Sequence, residues 1–239
     1  MKKLLTLSAI TLAFASTAYA GSSYVTGNAQ FHSEDLHGNS ATSTLEAGHT
    51  FNNSVGGLTV YTELDGISIG DPVVEGKNNS VGVTIGGEQS YNITENLWVA
   101  AGYQHLLVDG ETFQYRPLVK IGYNFDNGVS ISNRTRLHSY EESGKSNDVR
   151  FDNRIAYKLN DEISLSYNNV YVIEGNESKY NTAGDMKKQN TMDHELRMTW
   201  TRTGVQPYFE FRSQANGKDN EQGSSIKNNA FVFGASYGF

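Results

Sequence analysis

The chain has 239 residues, with 19 Lys and Arg against 26 Asp and Glu, a formal net charge of −7 and no cysteine. A net acidic chain is a poor candidate for sequence-independent nucleic-acid binding, which needs cations in excess, and a chain without thiols has no thiolate catalysis, thiolate metal site or disulfide staple. Its mean hydropathy of −0.50 does not separate a soluble protein from a membrane barrel, because a strand with one oily face needs apolar side chains at only half its positions.

The first element in chain order is an export signal. Lys2 and Lys3 precede an apolar run from Leu4 to Ala15 and a small-x-small cleavage site at Ala18-Tyr19-Ala20. Residues 1–20 are therefore expected to be a signal peptide, and residues 21–239 one domain. Removing the signal takes away Lys2 and Lys3 and no acid, so the mature chain is more acidic still. No later stretch approaches the roughly 20 uninterrupted apolar residues of a spanning helix, so any membrane crossing is by strands.

Alternating segments follow near residues 23–33, 42–51, 58–68, 80–91, 97–108, 114–125, 129–140, 149–159, 163–173, 191–202, 205–213 and 226–239. In the last, large or apolar residues take every second place from Phe231 to a terminal Phe239. Asn52-Asn53-Ser54, Asn92 to Asn96, Asp126-Asn127-Gly128, Asn160-Asp161-Glu162 and Thr203-Gly204 are short turn formers. The alternate connections are longer and charged, as in Glu174 to Asn190 and Gln214 to Ser225. Pro117 and Pro207 fall within predicted strands, where each removes a ladder hydrogen bond; both are expected near strand ends. An even number of strands with short turns at one end predicts an all-β fold, a twelve-stranded antiparallel transmembrane β-barrel of the outer-membrane porin type. Both termini are then periplasmic.

Alternation also assigns faces. In the sixth segment Tyr115, Pro117, Val119, Ile121, Tyr123 and Phe125 face lipid, leaving Arg116 and Lys120 in the lumen. In the seventh, Val129, Ile131 and Leu137 face out and Arg134, Arg136 and His138 face in; in the eighth, Phe151, Ile155, Tyr157 and Leu159 alternate with Arg150, Asp152, Arg154 and Lys158. Three neighbouring strands thus line the water side with bases that Asp152 alone opposes. The acids Glu46, Glu63, Asp65 and Glu88 line the second to fourth strands, while Asp193, Glu195 and Glu210 accompany Arg197 and Arg212 in the tenth and eleventh. The wall then carries a transverse field that attracts and orients anions. The plain alternative is that these charges pair across the barrel and fill it. Twelve strands about 4.8 Å apart and tilted by ~40° make a backbone cylinder of radius about 12 Å, which leaves a water path after two layers of side chains.

The order of several segments resembles a known family. YVTGNAQFHSEDLHG from Tyr24, STLEAGHTF from Ser43, YRPLVKIGYNFDNGVSISNRTR from Tyr115, VQPYFEFR from Val205 and the closing FGASYGF are similar to the KdgM-type oligogalacturonate-specific porins, over essentially the whole mature chain. The resemblance implies a monomeric barrel in the bacterial outer membrane for passive uptake of acidic oligosaccharides, with no cofactor. It implies that pore-lining Arg116, Lys120, Arg134, Arg136, Arg150, Arg154 and Lys158, together with Arg197 and Arg212, bind the carboxylates. The family also contains a sialic-acid channel, and the charge pattern suits oligogalacturonate, sialate and other uronates such as alginate fragments alike. Tyr140 and Tyr208 are lumenal candidates for stacking on sugars, with interfacial packing the expectation for Tyr140.

Other chemistries find little support. His32-Ser33 and His138-Ser139 are sequence neighbours, so each pair points to opposite faces of its strand, and no catalytic residue is assigned. Ser143-Gly144-Lys145-Ser146 lacks the first glycine of a phosphate-binding loop and a following helix. The six histidines show no metal-ligand spacing; His49, His105 and His194 fall on the lipid-facing side. An adhesive role for the outer loops is weighed down by their modest length and few aromatics.

Overall fold

The computed structural model describes residues 21–36, 39–70, 80–175, 179–180, 186–187, 190–219 and 225–239. The expected signal peptide lies outside the described residues. The barrel strands are β1 (Gly21–Leu36), β2 (Asn39–Asn53), β3 (Gly56–Ser68), β4 (Gly82–Asn92), β5 (Leu97–Val108), β6 (Glu111–Asn124), β7 (Val129–Tyr140), β8 (Asp148–Lys158), β9 (Ile163–Ile173), β12 (Thr191–Trp200), β13 (Val205–Asp219) and β14 (Ser225–Gly238). Two short strands, β10 (Lys179–Tyr180) and β11 (Met186–Lys187), form a separate two-stranded ladder in the connection between β9 and β12.

All twelve barrel strands are antiparallel to their neighbours, and β1 pairs with β14 to close the sheet. Reciprocal backbone bonds between Ser23 and Phe239, 2.8 and 2.9 Å, close the seam at the chain termini. Closure matters because an open edge within a bilayer leaves backbone groups unpaired in hydrocarbon, at several kcal/mol each.

Alternation explains which residues sit where. Along β12, Met192, His194, Leu196, Met198 and Trp200 are exposed outward, while Asp193, Glu195, Arg197 and Thr199 turn inward. On β6 the outward residues Val119 and Ile121 are 57% and 51% exposed, and on β14 Phe233 is 54% exposed. Apolar side chains this open make an outer band suited to lipid, the inverse of a soluble core. Around the closing seam Phe31, Phe209, Phe211, Phe231 and Phe233 pack ring against ring, with centroids 5.2 to 6.3 Å apart.

The two ends of the barrel differ. At the end holding the termini, the connections are residues 54–55, 93–96, 125–128, 159–162 and 201–204. At the other end they are longer in places, such as 141–147 and 174–190, but two depart from expectation. Asp109-Gly110, with φ of 54° and 86°, makes a two-residue hairpin between β5 and β6, the left-handed turn that matches strand twist. The segment from Gln214 to Ser225, expected as a loop, is largely strand, because β13 runs on to Asp219 and β14 starts at Ser225. Its sequence has no large apolar residue, so backbone pairing persists where the apolar alternation has stopped.

Pro117 departs as well. It lies in the middle of β6, not near an end, because the strand begins at Glu111. The β6–β7 ladder is interrupted beside it, passing from Tyr115↔Ser139 to Leu118↔Arg136 without a change of register. Pairing with β5 continues through Tyr103↔Pro117. Pro207, the third residue of β13, sits near its strand end as expected.

Inside, four large rings lie across glycines of the neighbouring strand. The register pairs Tyr24 with Gly48, Tyr61 with Gly86, Trp98 with Gly122 and Tyr208 with Gly234. A β-carbon added at Gly234 would stand 2.2 Å from the Tyr208 ring, so the seat exists only for glycine. Each ring is folded onto the wall, which keeps its bulk out of the bore.

Candidate functional site

The bore of the barrel is the site, and the ladder register sets its contents. On β6, β7 and β8 the inward residues form stacked rows. One row joins Leu118, Arg136 and Arg150; the next, towards the short turns, joins Lys120, Arg134 and Asp152; the third joins Gly122, Ser132 and Arg154. Arg116 stands above the first row on β6. Rows two residues apart are spaced by about 7 Å, so the cations form a ladder down one wall.

Two cavities, about 430 and 560 Å³, line up along this bore and share Lys120, Arg134, Glu195 and Arg197 in their walls. Between them they are lined by Arg116, Lys120, Arg134, Arg136, Arg150, Arg154, Arg197 and Arg212, and by the acids Glu46, Glu63, Asp65, Glu88, Asp152, Asp193, Glu195 and Glu210. Bases and acids are equal in number but segregated: most of the bases stand on β6 to β8, and four acids on β2 to β4. This is the transverse arrangement the alternation implies.

Part of the charge is paired. Asp152, 7% exposed, accepts from Arg134 at 2.8 Å and Arg150 at 2.7 Å. Glu210, 2% exposed, accepts from Arg197 at 2.6 Å and from Arg212. Lys120 reaches across β5 to Glu88 at 2.6 Å. Among the described residues, other cations meet only amides. Arg116 donates to Gln114 Oε1 at 2.6 Å, and Arg136 donates from Nη1 to Gln104 Oε1 at 2.5 Å while its Nε has no acceptor. Among the described residues Arg154 makes neither an ion pair nor a side-chain hydrogen bond.

Lys158 is separate from this group. It lies at the short-turn rim, 60% exposed and paired with Asp161 at 3.0 Å, and it borders neither of the two cavities. The remaining eight expected residues all face the bore.

The aromatic candidates divide too. Tyr140 is held at the long-loop end, donating to Asp148 at 2.5 Å with Phe113 and Lys145 against its ring. Tyr208 lines the larger cavity, but the Arg197 guanidinium lies 4.2 Å over its ring. Alternation alone carries no notice of Gln104, Gln114 or Trp98, although all three have the inward parity of their strands. Their roles appear only once the register brings Arg116, Arg136 and Gly122 beside them.

A Ser–His contact does occur, though between neither of the adjacent pairs. Ser23 Oγ and His49 Nδ1 are 2.7 Å apart across β1 and β2. Ser23 is 7% exposed, so the contact clamps two strands and offers no accessible nucleophile. His105 and His194, also on the outer face, pack against Tyr115 and Tyr167.

Comparison with known proteins agrees with this architecture. The NanC porin structure superposes with a TM-score of 0.66 at 13% identity, over 89% of this chain and 98% of that one. The KdgM porin in complex with disordered oligogalacturonate gives 0.62 at 12% identity, over 90% and 99%. An outer-membrane channel from Pseudomonas putida F1 gives 0.65 at 14% identity, over 94% and 97%. No curated protein sequence matches the chain. At such identities the likeness is one of fold, a porin barrel of the outer membrane. The sequence model of one family matches residues 18–239, nearly the whole chain, and the protein therefore belongs to the oligogalacturonate-specific porin (KdgM) family.

Proposed function

We propose that the protein is a passive, monomeric channel for acidic oligosaccharides, oligogalacturonates first among them, with the short turns and both termini in the periplasm and the long connections outside. The observation that carries this reading is a like-charge contact made twice. Lys120 and Arg134 are direct cross-strand partners, and so are Arg136 and Arg150. Like charges directly opposite on a sheet cost stability, and a wall built only for strength would alternate their sign. Glu88 and Asp152 answer only part of this charge, since Asp152 is shared by Arg134 and Arg150 and Arg136 meets an amide alone, and an anion in the bore supplies the remainder. The porin solved with disordered oligogalacturonate supports that choice of anion.

The geometry supplies a mechanism. An oligogalacturonate carries one carboxylate per ring, and the ladder offers cations at successive depths: Arg116, then Arg136 with Arg150, then Lys120 with Arg134, then Arg154. Each carboxylate exchanges one partner for the next as the chain advances, so no step strips it of all counter-charge. Arginine suits the task because its planar fork pairs with carboxylate through two hydrogen bonds. Lys158 then stands at the periplasmic lip. Weak, multiple binding keeps the flux high, and movement is downhill.

Planar-bilayer recording tests the reading. The refolded protein is expected to show anion selectivity in a salt gradient and saturable current block by oligogalacturonate, weakened when Arg134, Arg136 and Arg154 are replaced by glutamine. Block by sialic acid or an alginate fragment in place of oligogalacturonate would reassign the sugar. A folded protein without conductance would sink the channel.

A further inference from the structure

The cavity of about 430 Å³ occupies the half of the bore nearer the short turns, and its floor is bare. One ladder row runs through Trp98, Gly122, Ser132 and Arg154 on β5, β6, β7 and β8. All four face inward, yet the middle two are a glycine and a serine. The row below, Ser130, Ala156 and Ser166 on β7 to β9, is equally small. With strands about 4.8 Å apart, the wall is hollowed into a notch roughly 10 Å wide between the indole and the β8 backbone.

The two sides of the notch differ in chemistry. The Trp98 indole lies over Gly122, where an added β-carbon would stand 2.3 Å from Cζ2. One face is therefore seated on β6 and the ring borders the cavity. On the far side is Arg154. The other cations lining this cavity are engaged, Lys120 with Glu88, Arg134 with Asp152 and Arg197 with Glu210. Among the described residues lining the cavity, Arg154 alone keeps its donors for a ligand.

We propose that this notch is a saccharide-stacking subsite, in which a uronate ring lays its C–H face on Trp98 and turns its carboxylate to Arg154. A pyranose ring is amphipathic in the required way: its C–H face is apolar and prefers an aromatic plane to water, while its hydroxyl edges stay wet. Charge alone would hold any polyanion; the indole adds a requirement for a sugar ring. The subsite rests on the proposed passage of acidic sugars and deepens it by making the inner half of the bore read ring shape as well as charge.

The chain has two tryptophans, and Trp200 is half exposed on the outer face, so a Trp200→Phe variant reports on Trp98 alone. Titrating the folded barrel with trigalacturonate is expected to shift Trp98 emission and to protect it from acrylamide quenching. Arg154→Gln is expected to raise the required concentration about tenfold, the loss of one charge-assisted contact. Citrate, an anion without a ring, is expected to leave Trp98 unprotected. In bilayers Trp98→Leu is expected to shorten each trigalacturonate block several-fold, while block by citrate changes little. Unchanged Trp98 emission at concentrations that block the current, or protection by citrate equal to that by the sugar, would overturn the subsite and leave the channel standing. Absence of any sugar block in the parent would overturn the proposed passage of acidic sugars itself.

Discussion

Replacing Arg116 and Arg136 together with glutamine is expected to weaken current block by oligogalacturonate about ten- to a hundredfold, and to leave the barrel no less stable than the parent. The first half follows from contact chemistry. A hydrogen bond to a charged group is worth about 1.5–3 kcal/mol, and two guanidinia are removed from a water-filled bore where screening takes the lower part of that range. The second half follows from what these arginines touch. Among the described residues neither is paired with an acid; their hydrogen bonds go to Gln114 and Gln104, and Arg136 stands directly opposite Arg150. Removing a cation from that contact relieves repulsion. Block constants from bilayer recordings, read beside the temperature at which heat-modifiable migration in detergent gels is lost, check both halves. A double variant that unfolds more easily and still binds sugar would mean that the two arginines serve the wall and not the cargo.

Glu210→Gln has the opposite signature. Glu210 is almost fully buried and holds Arg197 and Arg212 at once. Losing it strands two guanidinia, and breaking a buried ion pair from one side costs roughly 3–5 kcal/mol. Part of that returns as the freed arginines turn towards water. The variant is expected to lose the folded gel band at a lower temperature and, where it folds, to bind oligogalacturonate more tightly, because β12 and β13, beyond β9 from the main ladder, then present unneutralised cations. Equal stability of variant and parent would show that the two arginines find water without Glu210. The two experiments are expected to separate the strands that hold cargo, β6 to β8, from those that hold the wall, β12 and β13.

The barrel was legible in the sequence because lipid on one side and water on the other force a strict two-residue period, visible in β12 from Met192 to Trp200. The period lapses where the strands rise out of the lipid. The extension of β13 to Asp219 and the tight Asp109-Gly110 hairpin therefore escaped, since polar residues on both faces look alike whether extended or looped. Pro117 looked terminal because the start of β6, Glu111 to Phe113, has no clear alternation. Parity was enough to put eight of the nine expected cations on the bore, with Lys158 at its rim. It was not enough to say which are engaged: Asp152 serves two arginines from a neighbouring strand and its own, and Lys120 finds its acid two strands away. Such choices depend on register and side-chain reach. The seat of Trp98 on Gly122 was hidden for the same reason, as the two are far apart in sequence and meet only when β5 and β6 are aligned.

The segregation of bases and acids bears on the water in which such a channel works. At physiological ionic strength the Debye length is about 8 Å, and at 0.01 M it is about 30 Å. The first is shorter than the bore is wide and the second longer. In dilute surroundings a passing polyanion therefore feels both walls, drawn to the bases and pushed off the acids. At intermediate salinity it feels only the wall it touches, and the ladder acts alone; in brine even that contact fades. On the proposed passage of acidic sugars, salinity is thus expected to set how far across the bore the cargo is steered, from the full width of the barrel in dilute water to contact distance in brine.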